Sequence, residues 1–430
     1  MNLIVDLHIH SHYSRATSKN STVEGLYKWG KIKGINVIGS GDFTHPEWFR
    51  ELHEKLEPAE GGLFKLREDI ATELDKELPE SVRNNLMRYM LTVEISNIYS
   101  KNGSVRKLHN VIIVPSFEVA SEMIAQLERI GNLKADGRPI LGMDSKELLR
   151  MTVESHPDSL FIPAHIWTPW FAMFGSKSGF DSVEEAFEEL APEIKAIETG
   201  LSSDPFMNWR LSQLDRVTIV SNSDAHSPQK LGREATVIYS ELSYKEIIDA
   251  IKTNDDRLVG TIEFFPQEGK YHFDGHRLCG VRMSPQETKQ HNAICPKCGK
   301  PMVVGVDYRV DEIADRPESY KPQNHKQVEY IIPLPEIIAE MKGVSASSKK
   351  VTREYEQVYS TLGDEFSILR SIPTEEIKRN GFAELAQLID RMRKGDVQIE
   401  PGYDGVYGII KLFSQQSERI ELTDQMSLGI

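Results

Sequence analysis

Close to its start the chain reads Asp6-Leu-His8-Ile-His10-Ser-His12. On an extended strand residues i and i+2 point to the same side, so Asp6, His8 and His10 are expected to converge on one point. Imidazoles and carboxylates gathered near a core are costly unless a cation compensates them, which makes this pattern the signature of a metal centre. The same residue types recur where other apolar runs end. Asp42 and His45 follow INVIGS, Glu94 ends YMLTVE, His165 ends LFIPAH, Glu198 ends IKAIE, and Asp224 with His226 follows VTIVSN. His109 stands just ahead of NVIIVP and must approach by a different geometry. Nitrogen and oxygen ligands suit zinc, manganese or iron, and there are more of them than one ion needs. Two or three ions a few ångströms apart imply hydrolysis, above all of a phosphate ester. Asp6, Asp224 and His226 are candidates for direct catalytic roles. Glu198 and Asp204, in ETGLSSDP, could position water or join a metal site.

The elements that must carry these residues alternate up to about residue 264. Short apolar runs at 2–5, 35–40, 89–95, 110–115, 160–165, 194–199, 217–222 and 257–262 are separated by helical patterns such as FEVASEMIAQLERIG and YKEIIDAIK. That alternation predicts an α/β fold with a mainly parallel sheet closed as a barrel, which would gather the ligands at the C-terminal ends of the strands. The first helix is expected to start at a capping box of Ser21 and Glu24 and to stop at Gly34. Residues 265–330 break the pattern and hold all the cysteines, as Cys279-x15-Cys295-x2-Cys298. Three clustered thiols suggest a structural zinc, with His276 the fourth ligand and His291 or Asp274 the alternatives. From 331 to 412 the pattern is helical, ending in PGYDGVYG (401–408), and 413–430 reads as a loose tail.

With 51 basic and 65 acidic residues the net charge is −14, which excludes a generally basic nucleic-acid coat but allows a local basic groove. No apolar run approaches the roughly 18 residues of a membrane span, and the start lacks the layout of a signal peptide, so a cytoplasmic protein with no membrane partner is expected. The loop after His165 carries Trp167, Trp170, Phe171 and Phe174, rings that could stack on a flipped base beside the metal centre or form a hydrophobic lid or an interface patch. Arg15, Lys19, Lys177 and Arg210 are candidate phosphate contacts. Lys349, Lys350, Arg353, Lys378, Arg379, Arg391, Arg393 and Lys394 could form a basic strip in the helical region.

The first 264 residues resemble the PHP superfamily of metal-dependent phosphoesterases, through Asp6-x-His8-x-His10, Tyr13-Ser14, Asp42, Glu94, His109, His165 and Asp224-x-His226. The resemblance implies a distorted (β/α)7 barrel with two or three divalent ions (zinc, manganese or magnesium). His8, His10, Glu94, Asp224, His109 and His165 would hold two of them. Thr17 and the Asp42-Phe43 pair depart from the family pattern in the region of the third. The stretches GKYHFDGHRLCGVRMSPQET, CPKCGKPMVVGVDYRVDEIADRP and PGYDGVYG extend the resemblance to the archaeal endonuclease Q family over residues 1–411. It implies a DNA repair endonuclease that cuts on the 5′ side of deaminated bases (uracil, hypoxanthine, xanthine) and abasic sites. Its partner would be double- or single-stranded DNA, and one structural zinc would accompany the barrel ions. A sliding clamp is a further partner implied by the resemblance, although SQQSERIELTDQMSLGI lacks a clamp-binding pattern. Two other readings are a histidinol-phosphatase-like small-molecule phosphatase and a catalytically inactive PHP nucleic-acid-binding protein. The first has no use for a zinc module and a helical tail. The second has no chemical reason to keep so many clustered ligands.

Overall fold

The computed structural model describes residues 1–412; the tail at 413–430, with its expected looseness and its clamp question, lies outside the described residues. The fold is a mixed α/β structure. Strand β1 (Asn2–Asp6) pairs in parallel with β2 (Val37–Gly39), and β2 in parallel with β3 (Arg88–Lys101). Next, β3 turns back at Asn102-Gly103 into β4 (Ser104–Val114), and β4 pairs antiparallel with β5 (Leu160–Pro163). A separate parallel pair, β6 (Ala196–Glu198) and β7 (Thr218–Val220), follows. Single links draw these strands into a curve: Ile166 N donates to Glu198 O, and Ile9 bridges Ala225. On the other side of β1 lie β8 (Ala235–Tyr239), β9 (Leu258–Glu263) and β10 (Gln327–Tyr330), of which β8 runs antiparallel to β1.

Two features differ from the sequence expectation. The runs at 89–95 and 110–115 are the inner halves of one long hairpin, so His109 lies inside β4 opposite Ser96 and not ahead of its strand. An Asn-Gly turn between two alternating runs is the local signal for such a hairpin. Helix α1 (Val23–Lys33) is capped by Thr22, which accepts from Gly25 N, and not by Ser21; the Ser21 carbonyl is engaged by His12 N. Its end is as expected, at Gly34 with a left-handed φ of 82°.

The C-terminal region contributes α2 (Leu334–Lys342), α3 (Lys349–Leu362) and α4 (Ala383–Arg393). Their buried faces (Ile337, Ile338, Tyr355, Val358, Leu388) belong to the same apolar core as Val23 and Leu26 of α1. A buried ion pair, Lys33 Nζ to Glu365 Oε2 at 2.7 Å, joins the two parts, and Tyr355 donates to the same oxygen. The turn-rich stretch 401–408 leaves the helices and packs on the cysteine region, where Phe273 N donates to Gly402 O and Arg277 N to Asp404.

Candidate metal centre

The ends of β1, β5 and β7, with the middles of β3 and β4, bring two groups of side chains together around Glu94, which lies inside β3 and not at its end as the spacing suggested. Ligand atoms of His8, His10, Glu94 and Asp224 lie within 4.8 Å of one another, and so do those of Glu94, His109 and His165. Glu94 joins the groups. One oxygen lies 2.7 Å from His109 Nδ1 and 3.1 Å from His165 Nε2; the other lies 3.2 Å from His10 Nε2 and 3.4 Å from His8 Nε2. Asp224 completes the first group at 3.1 Å from His10 Nε2 and is partly open to solvent. His8 and His10 are fully enclosed.

A layer of carboxylates behind the histidines sets their orientation. His8 Nδ1 is 2.9 Å from Glu198, which also accepts from Asn222 and from His165 N. His10 Nδ1 is 3.2 Å from Asp42, and Asp42 further accepts from Ser11 N, Ser11 Oγ and Ser14 Oγ. With a cation in the cluster, each ring would keep its proton on Nδ1 and present the Nε2 lone pair to it. His8 Nε2 is buried with no hydrogen-bond partner, which is how a ligand atom waiting for a cation looks. Three residues here, Asp42, His165 and Asp224, have positive φ (50°, 29° and 46°), a strained arrangement that clusters at functional sites. Gly200 makes room for one of them, since a Cβ there would collide with His165.

Electrostatics point the same way. Burial alone would depress His8 and His10, but Glu198, Glu94 and Asp224 raise the first well above its ordinary value, and Asp224, Asp42 and Glu94 raise the second. Burial opposes the charge on Glu94, yet His109, Arg138 and His8 hold it well below the usual carboxylate range. Burial pushes His109 down to about 4. Negative charge here demands a positive partner, and divalent ions fit the donor set.

Several expected site residues stand elsewhere. Asp6 does not converge with His8, because β1 ends at Asp6 and strand alternation no longer applies; its carboxylate accepts from Ser223 N, Ser223 Oγ and Gly232 N. The oxygens of Asp42 are occupied by protein donors, so it orients His10 instead of facing an ion. His45 stacks on Tyr13 at 4.3 Å, with Nδ1 3.5 Å from Glu47. Asp204 caps the short helix Pro205–Asn208 and accepts from Tyr330 at 2.5 Å, outside the cluster. His226 stands at the rim, its ring 4.5 Å from His10 and its Nδ1 on the Asp224 carbonyl. Arg138 joins the site unannounced: its Nη1 lies 3.0 Å from Glu94, and nothing in a polar loop marks one arginine out.

The aromatic loop divides in two. Trp167 and Phe174 are core residues, 1% and 0% exposed, and Trp167 donates to Asn208. Neither is available to stack on a base. Trp170 is 48% exposed, and Phe171 lies 4.6 Å from the His109 ring. Arg210 is likewise buried and paired with Asp311 at 2.5 Å, so it is no free phosphate contact. Lys177 and Lys19 are exposed, and so is Arg15, which pairs with Asp136 at 3.2 Å.

In the cysteine region, ligand atoms of His276, Cys279, Cys295 and Cys298 lie within 4.8 Å of one another. Asp274 accepts instead from Gly305 N, and His291 ends the helix Pro285–Gln290. Around the cysteines the apolar cluster among the described residues is Val281, Cys295 and Met302 with Cys279 and Met283 against it, little apolar surface to fix this corner without a staple, while Phe265, Val306 and Val310 of the same region join the main core.

Residues 333–396 match the family described as the MJ0043 C-terminal domain. The chain is 31% identical to the uncharacterised protein MJ0043 of Methanocaldococcus jannaschii over 263 residues, 59% of this chain but only 32% of that protein. The crystal structure of the lesion-specific endonuclease PfuEndoQ from Pyrococcus furiosus superposes with a TM-score of 0.82 at 29% identity, covering 98% of this chain and 99% of that one. Endonuclease Q in complex with a 27-mer duplex substrate, with an abasic lesion at the active site, gives a TM-score of 0.80 at 30% identity over 96% and 97%. Among the described residues no helix is long and apolar enough to cross a membrane.

Proposed function

Because this chain belongs to the endonuclease Q family, we propose that it is an intracellular DNA repair endonuclease that hydrolyses the phosphodiester bond on the 5′ side of deaminated bases (uracil, hypoxanthine, xanthine) and abasic sites. The observation that carries this reading is the likeness over the whole chain, cysteine region and helical region included, to endonuclease Q bound to abasic DNA. A small-molecule phosphatase would need only the first part. In this reading the curved strands around Glu94 are the distorted (β/α)7 barrel, residues 265–330 a zinc-binding module, and 331–412 a helical DNA-contacting region.

His8, His10, Glu94 and Asp224 would hold one divalent ion, and Glu94, His109 and His165 a second. Such ions supply water activation and charge stabilisation for phosphodiester hydrolysis. The remaining work falls to the chain. Glu198 and Asp42 lock the rings of His8 and His10, so ligand geometry is set before substrate arrives. Arg138 uses one nitrogen on Glu94, and its remaining N–H groups have no partner among the described residues, which suits a phosphate oxygen in the cleft. Trp170 and Phe171 offer the rings a displaced base would stack on.

The test is an end-labelled duplex carrying one deoxyuridine, deoxyinosine or abasic site, beside an undamaged control, with manganese or magnesium. A nick 5′ of the lesion that chelator abolishes is expected. Intact DNA together with turnover of a small phosphate ester would overturn the reading in favour of a phosphatase.

A further inference from the structure

The eight cations of the expected basic strip part company in the structure. Arg391 pairs with Asp396, Lys394 pairs with Asp390, and Arg393 donates to the carbonyls of Ile368 and Leu369. Lys378 and Arg379 occupy the last turn of the helix Thr374–Arg379, where the carbonyl end of the dipole favours positive charge. Lys349, Lys350 and Arg353 remain. All three are exposed, and their side chains have no ion pair or hydrogen bond among the described residues. They stand at the start of α3, the end of a helix that disfavours cations, and no acid occupies that first turn. Folding supplies no reason for positive charge there, but an anion does.

Their location supplies the rest. Through Val351 and Thr352 the start of α3 borders a groove of about 490 Å3 whose lining also holds Trp29, Arg233, Tyr355 and Glu336, the acid paired with Lys230 at 3.0 Å. Arg233 donates from Nε to Ser223 O at 3.0 Å and from Nη2 to Asp224 O at 3.3 Å, so one wall of the groove is braced on the loop that carries a cluster carboxylate. The far end of α3 points away, since Asp364, just beyond it, packs on Gly34 past the end of α1. The three cations thus stand at the end of the helix nearer the metal centre.

We propose that the exposed start of α3, along the edge of this groove, is the track of the DNA backbone flanking the cleavage site, with Lys349, Lys350 and Arg353 contacting successive phosphates. The inference rests on the nuclease reading and adds where the substrate runs. Charge complementarity selects the occupant: in a chain of net charge −14, an uncompensated cationic edge beside the catalytic loop is a local field for a polyanion.

The experiment is the salt dependence of binding to a labelled undamaged duplex, which the enzyme does not cut. The triple variant K349S/K350S/R353S should bind about tenfold more weakly, with a log–log salt slope smaller by about 0.9 for each phosphate the variant no longer neutralises. The control K378S/R379S, also stripped of cations, should keep the wild-type slope. A wild-type slope in the triple variant, or an equal loss in the control, would overturn the proposal. Acetylation footprinting of the unaltered protein needs no variant: DNA should protect Lys349 and Lys350. Absent protection, or stronger protection by polyglutamate than by DNA, would also overturn it. If the wild-type protein nicks lesion duplex while these results fail, the nuclease reading stands and only the track falls. If it binds but never nicks, the reverse holds.

Discussion

Glu94 turns scattered histidines into one centre, with one oxygen facing His109 and His165 and the other facing His8, His10 and Arg138. A carboxylate shared between two ligand groups is what a pair of ions requires. His8→Ala or Asp224→Asn should abolish nicking while DNA binding persists, measured by gel assay and anisotropy on the same samples. Glu198→Gln tests the layer behind. It leaves His8 in place but weakens the acceptor on its Nδ1, so divalent-ion affinity should fall about 10–100-fold, read by calorimetry. Unchanged affinity would mean that Glu198 does not orient the ring. The ligand types, and the places of His8, His165 and Asp224 just past strand ends, are legible in the sequence alone, whereas Glu94 and His109 lie inside the long hairpin. The role of Asp42 is not, because an aspartate that binds an ion and one that orients a histidine look alike until Ser11 and Ser14 are seen filling its lone pairs.

Among the elements, the loop 166–180 shows how spacing misleads. Its aromatics read as one stacking surface, yet the chain folds Trp167 and Phe174 inward and leaves Trp170 out. Trp167→Ala should therefore cost about 3–5 kcal/mol of stability, as for other large-to-small core changes. Trp170→Ala should leave the melting temperature unchanged and lower the preference for damaged over intact DNA. Equal effects of the two on stability would refute the division. The cysteine region makes the opposite case, since a short Cys spacing states its chemistry outright. Cys295→Ser should remove one equivalent of zinc and lower the melting temperature, because metal binding and local folding are coupled. Full zinc content in that variant would remove the site.

Across the assembled protein, one buried acid, Glu263, has no ion pair among the described residues. Glu263 is fully buried and faces Ser221, Thr199, Thr261, Asp204 and Glu234, and burial raises it from 4.5 to about 8. A carboxyl whose folded pKa is raised contributes stability that is fully present below its unfolded value and lost as pH rises through the folded one. Thermal stability should therefore decline between about pH 5 and pH 8.5 more steeply in the wild type than in Glu263→Gln, and the variant should be the more stable above pH 8. Parallel pH profiles would show that Glu263 is ionised throughout. The Lys33–Glu365 pair, by contrast, is matched, and it fastens the C-terminal helices to α1.

The alternation of strands and helices, the stop at Gly34, the types of the ligand residues and the Cys-x2-Cys pair are written in local sequence, because periodicity and caps depend on residues a few positions apart, while the gathering of His8, Glu94, His109, His165 and Asp224 depends on the fold. The Asn102-Gly103 hairpin is written there too, in a fainter hand, since its two runs also read as separate strands. What required the folded chain were relations between distant segments: Glu94 against Arg138, Asp6 against Gly232, Arg210 against Asp311, and the start of α3 beside the loop of Asp224. Packing sets those distances, and a side chain's role follows from what it touches. Residue type can therefore announce the chemistry, while only the contacts assign which residue performs it.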